Sequence, residues 1–368
     1  MDVRDGTHDS PNPVSEGIPL ITSKNLIGGF LDFSTCSFIS EEDHLSISKR
    51  SKVDNGDILY AMIGTIGNPV IVNKTKEFSI KNVALFKCSN DCVFNKYIYH
   101  FLNSSLAERQ LKRKARGGTQ KFISLGNLRE LEIPLPPLEE QKRIASILDK
   151  ADAIRQKREQ AIKLADDFLR ATFLEMFPQL DDCGNRVKLG DIVTLDAPMV
   201  DPREDKFIDL IHIGPDRIEK NTGLLLPALT AREESLISKK FLFDESYVLY
   251  SKIRPYLKKC AIPDFGGLCS ADMYPVKPIS GKTNREFIWQ LLLSDFFTKY
   301  TETLPDRANI PKLNRKELLS FELSLPPISL QEKYKVIVQK ANRAKLIMRM
   351  QNDNSILNNL ADKLFLTN

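Results

Sequence analysis

Two long stretches of the chain carry a helical pattern of apolar residues. Residues 138–177 contain no glycine or proline, and apolar side chains recur there every seven residues, as in a coiled coil. One unbroken helix over this stretch would be roughly 60 Å long at about 1.5 Å per residue. A second stretch, 330–366, has a similar pattern whose stripe changes phase once. The stripe residues expected to pack the two helices on each other, antiparallel, or on a partner are Ile144, Ile147, Ala151, Ile154, Ala161, Phe168, Ile337, Ala341, Ala344 and Met348. The alternative is that each helix folds back on its own globular part.

The rest of the chain alternates short apolar runs with turn residues, a pattern typical of β-strands. The runs lie at 17–21, 57–63, 69–72, 207–213, 246–250 and 259–262. Each half of the chain then continues into a segment with helical spacing, at 94–111 and at 285–300. The pattern therefore predicts two globular parts of mixed strands and helices, each followed by a long helix.

The sequence repeats itself at a constant interval of 190 residues, the distance from Leu135 to Leu325. A Leu-Pro-Pro tripeptide at 135–137 recurs at 325–327. The same interval, which we call the repeat interval, places Gln141 on Gln331 and the Leu-Tyr dipeptide at 59–60 on another at 249–250. One interval that aligns matches across most of the chain indicates two copies of one structural unit.

The repeat divides the chain into four segments. We expect a globular domain at 1–134, a helical region at 135–178, a second globular domain at 187–324 and a second helical region at 325–368. The second copy opens with Val-Lys-Leu-Gly-Asp-Ile at 187–192, whose counterpart would fall before or around Met1. The first copy therefore lacks this opening strand or has another segment in its place. The predicted fold class is α+β, with two α/β domains joined by two long antiparallel helices in a pseudo-twofold arrangement.

Composition is that of a soluble intracellular protein. The chain is 42% hydrophobic and 27% charged, which is ordinary for globular domains. No apolar stretch approaches the roughly 20 residues of a membrane span, and the polar N-terminus has no signal-peptide core. The six cysteines, of which Cys88 and Cys92 are the closest pair, match no zinc-site spacing. We therefore expect a cytoplasmic protein without a metal or other cofactor.

One segment resembles a known family. Residues 131–144, Leu-Glu-Ile-Pro-Leu-Pro-Pro-Leu-Glu-Glu-Gln-Lys-Arg-Ile, are similar to the start of the conserved helical region of Type I restriction-modification specificity subunits. Segments that resemble the target recognition domains of that family lie at 5–8, 18–21, 56–59 and 250–257. The resemblance covers essentially the whole chain in the family's order. The departures are the clipped first copy and a second Leu-Pro-Pro motif that lacks the following pair of acids.

The resemblance implies a DNA-binding subunit without a catalytic site of its own. Each globular part would be a target recognition domain that reads one half of a split double-stranded DNA sequence. The helices would set the unread gap and dock methyltransferase (M) subunits, two in number, through which nuclease-translocase (R) subunits join. Adenine methylation and ATP-dependent cleavage would then be performed by these partners.

Clusters of basic residues occur in both copies. The net charge of +5 alone does not distinguish a DNA-binding protein from other classes. Residues 109–121, however, carry six basic side chains with no acid between them. Lysine and arginine supply phosphate contacts, and Arg, Asn and Gln can read base edges. The candidate DNA-binding residues are Lys49, Arg50, Lys52, Lys112, Arg113, Lys114, Arg116, Gln120, Lys121, Lys252, Arg254, Lys258, Arg307, Asn309 and Lys312. Gln120, Lys121, Arg254 and Asn309 are the candidates for base contacts; the alternative for each cluster is a solvated basic surface.

Motifs that would give the chain its own chemistry are missing from its sequence. It has no Asn/Asp-Pro-Pro-aromatic motif or cofactor loop of an adenine methyltransferase, and no phosphate-binding loop of a helicase motor. The glycines at 64 and 67 belong to a turn between strands. Two other functions stay open. One is an autonomous DNA-modifying enzyme with a recognition module. The other is a coiled-coil interaction protein, or a silent cassette that donates recognition domains by recombination.

Overall fold

The computed structural model describes residues 1–88, 91–114, 122–182, 186–305, 311–352 and 354–366. The chain divides into two compact units. Unit 1 comprises Met1–Arg158 and Met350–Asn368, and unit 2 comprises Glu159–Arg349. Each unit therefore combines a globular part with segments from both helical regions of the sequence.

Unit 1 is a mixture of short strands and helices. Its elements are β1 (Asp2–Asp5), β2 (Ile18–Ile21), β3 (Leu26–Ile27), β4 (Phe30–Leu31), β5 (Ser37–Ile39), α1 (Glu41–Ser51), β6 (Ile58–Ala61), β7 (Gly67–Ile71), β8 (Ser79–Ile80), β9 (Val83–Lys87), α2 (Asn95–Leu102), α3 (Ser105–Lys114), α4 (Leu125–Arg129) and the first part of α5 (Leu138–Met176).

Unit 2 has the same kinds of elements in a similar order. They are β10 (Arg186–Lys188), α6 (Leu189–Ile192), β11 (Val193–Thr194), β12 (Met199–Val200), β13 (His212–Ile213), β14 (Lys240–Phe243), β15 (Val248–Ser251), β16 (Cys260–Ala261), β17 (Gly267–Cys269), β18 (Met273–Pro278), α7 (Arg285–Leu293), α8 (Asp295–Glu302), α9 (Arg315–Ser320), β19 (Glu322–Ser324) and α10 (Ile328–Gln351). The last helix, α11 (Asn354–Leu366), belongs to unit 1.

A central antiparallel sheet organises each unit. Its strand order is β1-β9-β6-β7 in unit 1 and β11-β18-β15-β16 in unit 2. Tyr60 pairs with Ala84 across the first sheet, and Tyr250 pairs with Tyr274 across the second. At the repeat interval Tyr60 corresponds to Tyr250, and Ala84 corresponds to Tyr274. The two units therefore share the register of these strands as well as the sequence repeat.

The central strand of each sheet is buried on both faces. Ile58 and Tyr60 pack among the helices, whereas Leu59 and Ala61 pack against the layer that contains β2 and β8. Because successive side chains of a strand point to opposite faces, a strand between two layers must be apolar at every position. This explains the uninterrupted apolar run at 57–63, and β15 of unit 2 is buried in the same way.

Most of the predicted strands are confirmed, but one is largely wrong. Only His212 and Ile213 of the run at 207–213 form a strand. The residues before them make turns, in which the N–H groups of Phe207 and Ile208 donate to the carbonyl oxygen of Glu204. The local backbone hydrogen bonds are thus satisfied without a partner strand.

Each predicted amphipathic helix consists of two shorter helices, and a serine stands directly before the second one. Ser104 precedes α3, and its hydroxyl accepts a hydrogen bond from the N–H of Ala107. Ser294 follows α7 and caps α8, with its hydroxyl bound to the N–H of Phe297. Serine is a favourable N-cap residue, so these two positions, which the repeat interval also relates, start new helices.

The long helix α5 is confirmed, and the predicted stripe is buried only in part. Ile144 is buried and Ile147, Ala151 and Ala161 are half-buried, whereas Ile154 is half exposed and Phe168 is 55% exposed. One residue later than these two, Arg155 is half-buried and Leu169 is buried. One residue turns a helix by about 100°, so the predicted residues at 154 and 168 lie beside the packed face and remain candidates for contact with a partner protein.

In unit 2 the second part of α5 packs antiparallel to α10. The Tyr334 hydroxyl donates to the carbonyl oxygen of Leu169 at 3.2 Å, and the Lys345 ammonium group contacts Asp166 at 2.6 Å. Phe173 also stacks edge-on against Tyr334. Of the predicted stripe residues on α10, Ile337, Ala341 and Met348 are partly buried and Ala344 is exposed.

The predicted second long helix is interrupted. α10 ends at Gln351 and α11 begins at Asn354. Within unit 1, the Asn352 side chain donates to the carbonyl oxygen of Arg155, and the Arg158 guanidinium donates to that of Gln351. Both hydrogen bonds join the end of α10 to α5 at the point where the helix stops.

Candidate nucleic-acid interface

A hairpin loop with positive φ angles at equivalent positions follows a central strand in both units. Hairpin loop 1 spans residues 62–68 after β6 and includes the first two residues of β7, and hairpin loop 2 spans 252–258 after β15. The positive backbone φ angles are 78° at Gly64, 112° at Gly67, 47° at Asn68, 48° at Arg254 and 47° at Lys258. A non-glycine residue in this conformation costs roughly 1–2 kcal/mol. Such strain clusters at functional sites.

Each loop is tied to its own unit by one backbone bridge. Ile63 bridges to Phe122 in unit 1, and Ile253 bridges to Lys312 in unit 2. In unit 2 the N–H of Arg254 also donates to the carbonyl oxygen of Pro311 at 2.8 Å. The surrounding chain therefore holds the loop in the strained conformation.

Hairpin loop 2 collects positive charge. The Arg254 side chain is exposed, and it has no hydrogen-bond or ion-pair partner among the residues that the structure describes. The Lys252 ammonium nitrogen lies 3.8 Å from the Asp272 carboxylate, and that of Lys312 lies 3.7 Å from the same carboxylate. One carboxylate shared by two ammonium groups leaves this surface positively charged.

A shallow hollow of about 210 Å³ adjoins hairpin loop 2. Pro255, Tyr256, Pro311 and Lys312 are among its lining residues. The Tyr256 ring is half exposed. The hollow thus combines an aromatic ring and proline rings, on which a flat ligand can stack, with the ammonium group of Lys312 and the carboxylate of Glu302.

Hairpin loop 1 is open and lies between two larger hollows. One, of about 440 Å³, is lined in part by Gly67, Asn68 and Lys112. The other, of about 600 Å³, is lined in part by Lys24 and Lys81. No sequence pattern marks these last two lysines, because they are isolated in the chain and come together only in the fold.

The Asp-Gly-Thr-His motif at 5–8 forms a polar network next to the central sheet. The two ring nitrogens of His8 lie 2.8 Å from Oδ1 of Asn82 and 2.8 Å from Oδ2 of Asp5. The Arg50 guanidinium donates to the other carboxylate oxygen of Asp5. The hydrogen bonds to Asn82 and Asp5 raise the pKa of His8 above its ordinary value of 6.5, because both nitrogens then donate as an imidazolium.

The structure does not bring all predicted basic residues to the hairpin loops. Lys49 is exposed on α1, and Arg50 is engaged with Asp5. Lys52 lies 3.9 Å from Asp54 and precedes β6, whereas hairpin loop 1 follows that strand. The cluster at 49–52 is therefore separate from the loop.

Two further predicted residues are held by carboxylates, and one is unpaired. Lys112 forms an ion pair with Glu108 at 2.6 Å, and Lys258 forms one with Asp295. Arg113 is exposed and has no ion pair within the described part of the chain. The predicted residues Arg116, Gln120, Lys121, Arg307 and Asn309 and the side chain of Lys114 lie outside the described residues.

The same described ranges contain no group of three or more His, Cys, Asp or Glu side chains placed to hold a metal ion. None of the helices described is long and apolar enough to cross a membrane. Cys260 and Cys269 are buried, and burial raises the pKa of both thiols well above the ordinary value, which disfavours the reactive thiolate.

The family model and the related proteins point to the same family. The family described as Type I restriction modification DNA specificity domain matches the chain twice, at residues 15–164 and 186–356. The EcoDI specificity subunit of Escherichia coli is 26% identical over 269 residues, which are 63% of this chain and 59% of that subunit. A putative type I specificity subunit of Methanocaldococcus jannaschii, MjaX, is 22% identical over 90% of this chain and 81% of its own length. A putative specificity subunit of Haemophilus influenzae is 36% identical, but over only 32% of this chain and 29% of its own. The match thus spans less than two thirds of the length of the first and third of these relatives.

Two solved structures share the fold. The S subunit of a Type I restriction-modification system from M. genitalium has a TM-score of 0.54 at 16% identity, and the alignment covers 99% of this chain and 93% of that one. A chain from a structure of type I R-M complex assembly has a TM-score of 0.51 at 14% identity, with 95% and 91% covered. Because the family model matches both repeats and most of the chain, the protein belongs to the family of Type I restriction-modification specificity subunits.

Proposed function

We propose that this chain is the DNA-reading subunit of a Type I restriction-modification complex, and that each repeat binds one half of a split double-stranded target. The observation that carries the proposal is the duplicated hairpin loop, which has positive φ angles at the same two positions and is bridged at the same point in both units. Two equivalent readers on one chain suit a target with two parts.

The groups on hairpin loop 2 support contact with DNA. Lys252 and Lys312 suit phosphate oxygens, which dominate affinity. Arg254 has an unpaired guanidinium whose planar fork can donate two hydrogen bonds to guanine O6 and N7. We assign Arg254 to a base edge and the two lysines to the backbone. Lys258 would first have to exchange its bond to Asp295 for a phosphate.

Hairpin loop 1 would read a different sequence. Gly64 stands at the position of Arg254, and an added Cβ there would meet no atom within 4 Å. Base contacts in unit 1 would therefore come from neighbouring groups, among which Lys24, Lys81 and Arg113 are available. The difference between the two loops supports a target whose halves are not identical.

Partner subunits would supply the reaction. Exposed apolar side chains occur on α5, at Ile154, Leu164 and Phe168, and on α10, at Leu346 and Ile347. Exposed apolar residues of this kind suit protein–protein contact. We propose that these residues bind two M subunits, through which R subunits join the complex. We also propose that the helical regions determine the number of unread base pairs between the two half-sites.

The methylation pattern of cells that express the chain with its M subunits tests the proposal. Arg254→Ala should weaken or relax the motif in one half only, by about 1–3 kcal/mol for a lost bidentate contact. Arg232→Ala is the matched control, since this exposed arginine is already paired with Asp209. An unchanged motif in the Arg254 variant, or a change in both halves, would contradict the proposal. Saturable binding of S-adenosylmethionine by the isolated chain would favour an autonomous enzyme instead.

A further inference from the structure

The short connection between β8 and β9 borders hairpin loop 1, and its counterpart in unit 2 borders hairpin loop 2. Asn82 lies in this connection and corresponds to Asp272 at the repeat interval. Asn82 lines the same hollow of about 600 Å³ as Gly64 of hairpin loop 1. The carbonyl oxygen of Asp272 accepts a hydrogen bond from the N–H of Lys252 in hairpin loop 2 at 3.0 Å. The position of Asn82 therefore belongs to the candidate interface in both repeats.

The backbone of Asn82 is held on both sides. Its φ angle of 53° lies in the left-handed region, which asparagine adopts more readily than most residues. Its N–H donates to the carbonyl oxygen of Thr7 at 3.1 Å, and the N–H of Lys81 donates to that of Ile21 at 2.8 Å. The Asn82 side chain therefore starts from a defined point in the wall of the hollow.

The hollow is polar and basic. Lys24 and Lys81 line it together with several hydroxyl side chains, and no acidic residue is among the described residues that line it. The Lys24 side chain is exposed and has no partner in the part of the chain that the structure describes, whereas that of Lys81 donates to the Ser10 hydroxyl. Such a lining suits the phosphate backbone of DNA, which would bring base edges close to Asn82.

His8 determines which end of the Asn82 amide is free. Nδ1 of His8 lies 2.8 Å from Oδ1 of Asn82, and Nε2 lies 2.8 Å from Oδ2 of Asp5. Asp5 is buried and also accepts a hydrogen bond from Arg50, so His8 must donate to this carboxylate through Nε2–H. When His8 is an imidazolium, its Nδ1–H donates to Oδ1 of Asn82. The nitrogen Nδ2 of Asn82, which has no partner among the described residues, then remains as a free donor.

Loss of one proton from His8 reverses this arrangement. The carboxylate of Asp5 retains the proton on Nε2, so Nδ1 becomes an acceptor that faces a second acceptor, Oδ1 of Asn82. The hydrogen bond re-forms only if the amide of Asn82 rotates, so that Nδ2 donates to His8 and Oδ1 takes its former place. The free end of Asn82 thus changes from a donor to an acceptor.

The surroundings of His8 favour the charged ring. The charged groups placed around it are Asp5 on β1, Arg50 on α1 and Lys81 next to Asn82. Hydrogen bonds to Asn82 and Asp5 raise the pKa of His8 above its ordinary value of 6.5. More than half of the His8 side chain is exposed, so the ring exchanges protons with the solvent.

We infer that Asn82 reads one base of the half-site bound by unit 1 by donating from Nδ2 to the base edge, and that His8 is the positioning residue that keeps this donor turned toward the DNA. The base must present an acceptor in the major groove, as guanine, adenine and thymine do at O6, N7 or O4. The inference rests on the proposed DNA reading by unit 1. In unit 2 the corresponding carboxylate of Asp272 faces Lys252 and Lys312 instead, so this form of reading is specific to unit 1.

Asn82→Gly tests the base contact, because glycine adopts the positive φ angle without strain and lacks the amide. In the complex of the chain with its M subunits, affinity for a duplex that carries the methylated motif should fall about fivefold, as expected for one lost hydrogen bond. The methylated motif in cells should relax at one position of one half. Asn73→Gly is the matched control, since Asn73 is exposed beyond the end of β7. Unchanged affinity and an unchanged motif in Asn82→Gly would overturn the inference.

The pH profile of binding tests the role of His8. The Kd of the same complex for this duplex should increase by about threefold or more between pH 6 and pH 8.5, as His8 loses its proton. Asn82→Gly and His8→Gln should both abolish this increase, and Asn73→Gly should retain it. The same pH dependence in the parent chain and in both variants would refute the positioning role.

Arg254→Ala separates this inference from the proposed function. If Arg254→Ala changes the other half of the motif while Asn82→Gly changes neither motif nor affinity, the inference fails and the divided reading stands. If neither variant changes the motif, the proposed function fails together with the inference.

Discussion

The side-chain amide of Gln141 donates to the carbonyl oxygen of Pro136 at 2.8 Å, and Gln331 makes the same 2.8 Å bond to Pro326. Both glutamines are buried in the first turn of their helix. Gln141 also donates to the carbonyl oxygen of Cys92, just before α2. The recurring Leu-Pro-Pro and glutamine thus form one device, which ties the start of a long helix to the globular part of the same unit.

Replacing Gln331 with alanine should destabilise unit 2. The change leaves the Thr283 hydroxyl and the carbonyl oxygen of Pro326 without their buried partner, and each such loss costs about 1–3 kcal/mol. Trp289, the only tryptophan in the sequence, is buried in this unit, so its fluorescence in urea reports the unfolding. Gln160→Ala, at an exposed position of α5, is the control and should leave the transition in place. An unshifted transition for Gln331→Ala would show that the device does not stabilise the unit.

The buried pair of Asp166 and Lys345 should fix the packing of α5 on α10 in unit 2. Burial lowers the pKa of Lys345 even though Asp166 opposes this shift. Removing one partner by Asp166→Ala leaves an unpaired buried charge and should cost about 3–5 kcal/mol. The double variant Asp166→Leu with Lys345→Met should recover most of that loss. If the single and double variants unfold at the same urea concentration, the pair is not coupled.

Gly6 should tolerate no side chain. A Cβ at this position would lie 2.2 Å from the carbonyl oxygen of Ile80, so Gly6→Ala must displace the backbone of β1 or β8. Gly126→Ala is the matched control, because its Cβ would meet only an ordinary contact at 3.7 Å and alanine favours a helix by about 1 kcal/mol. Hydrogen exchange along β9 should accelerate in the first variant and not in the second. Equal protection in both would contradict the close approach.

The stability that His8 confers should fall as the pH rises. Its pKa is raised in the folded chain by hydrogen bonds to Asn82 and Asp5, so the imidazolium is favoured more in the folded than in the unfolded state. The contribution is complete below the unfolded pKa of about 6.5 and is lost as the pH passes the folded pKa. The melting temperature of the parent chain relative to His8→Gln should therefore decrease between pH 6 and pH 8.

His100 is a control, because its contribution to stability should depend on pH in the opposite direction. Burial lowers the pKa of His100, although its bond to Asp149 partly opposes the shift. The parent chain should therefore lose its advantage over His100→Gln as the pH falls rather than as it rises. NMR titration of His8 at or below pH 6.5 would contradict the first prediction.

The features that could be predicted from the sequence are those that one segment determines by itself. The apolar run of β6 predicts a strand because both of its faces are buried, and residues 138–177 predict a helix because nothing in them breaks one. The repeat, which is a comparison of the chain with itself, placed Gln331 at the position of Gln141 and the strand β15 at the position of β6.

The features that could not be predicted depend on partners distant in sequence. Asp166 is buried on α5, although its charge predicts a solvent-facing residue until Lys345 is placed beside it. The strained conformation of Arg254 and Lys258 has no glycine to signal it, and the bridge from Ile253 to Lys312, which helps to hold the loop, joins residues that are distant in sequence. The ion pair of Lys258 with Asp295 also joins residues distant in sequence, whereas the pair of Lys112 with Glu108 has the spacing of four residues that a helix favours.

The exchange of residues 1–130 for those of a relative with a different target is the most direct test of divided reading. The methylated motif of cells that carry the chimaera with its M subunits would be mapped by methylome sequencing. We predict that one half of the motif changes while the other half and the number of unread base pairs stay the same. A change in both halves, or in neither, would contradict the assignment of one half-site to each repeat.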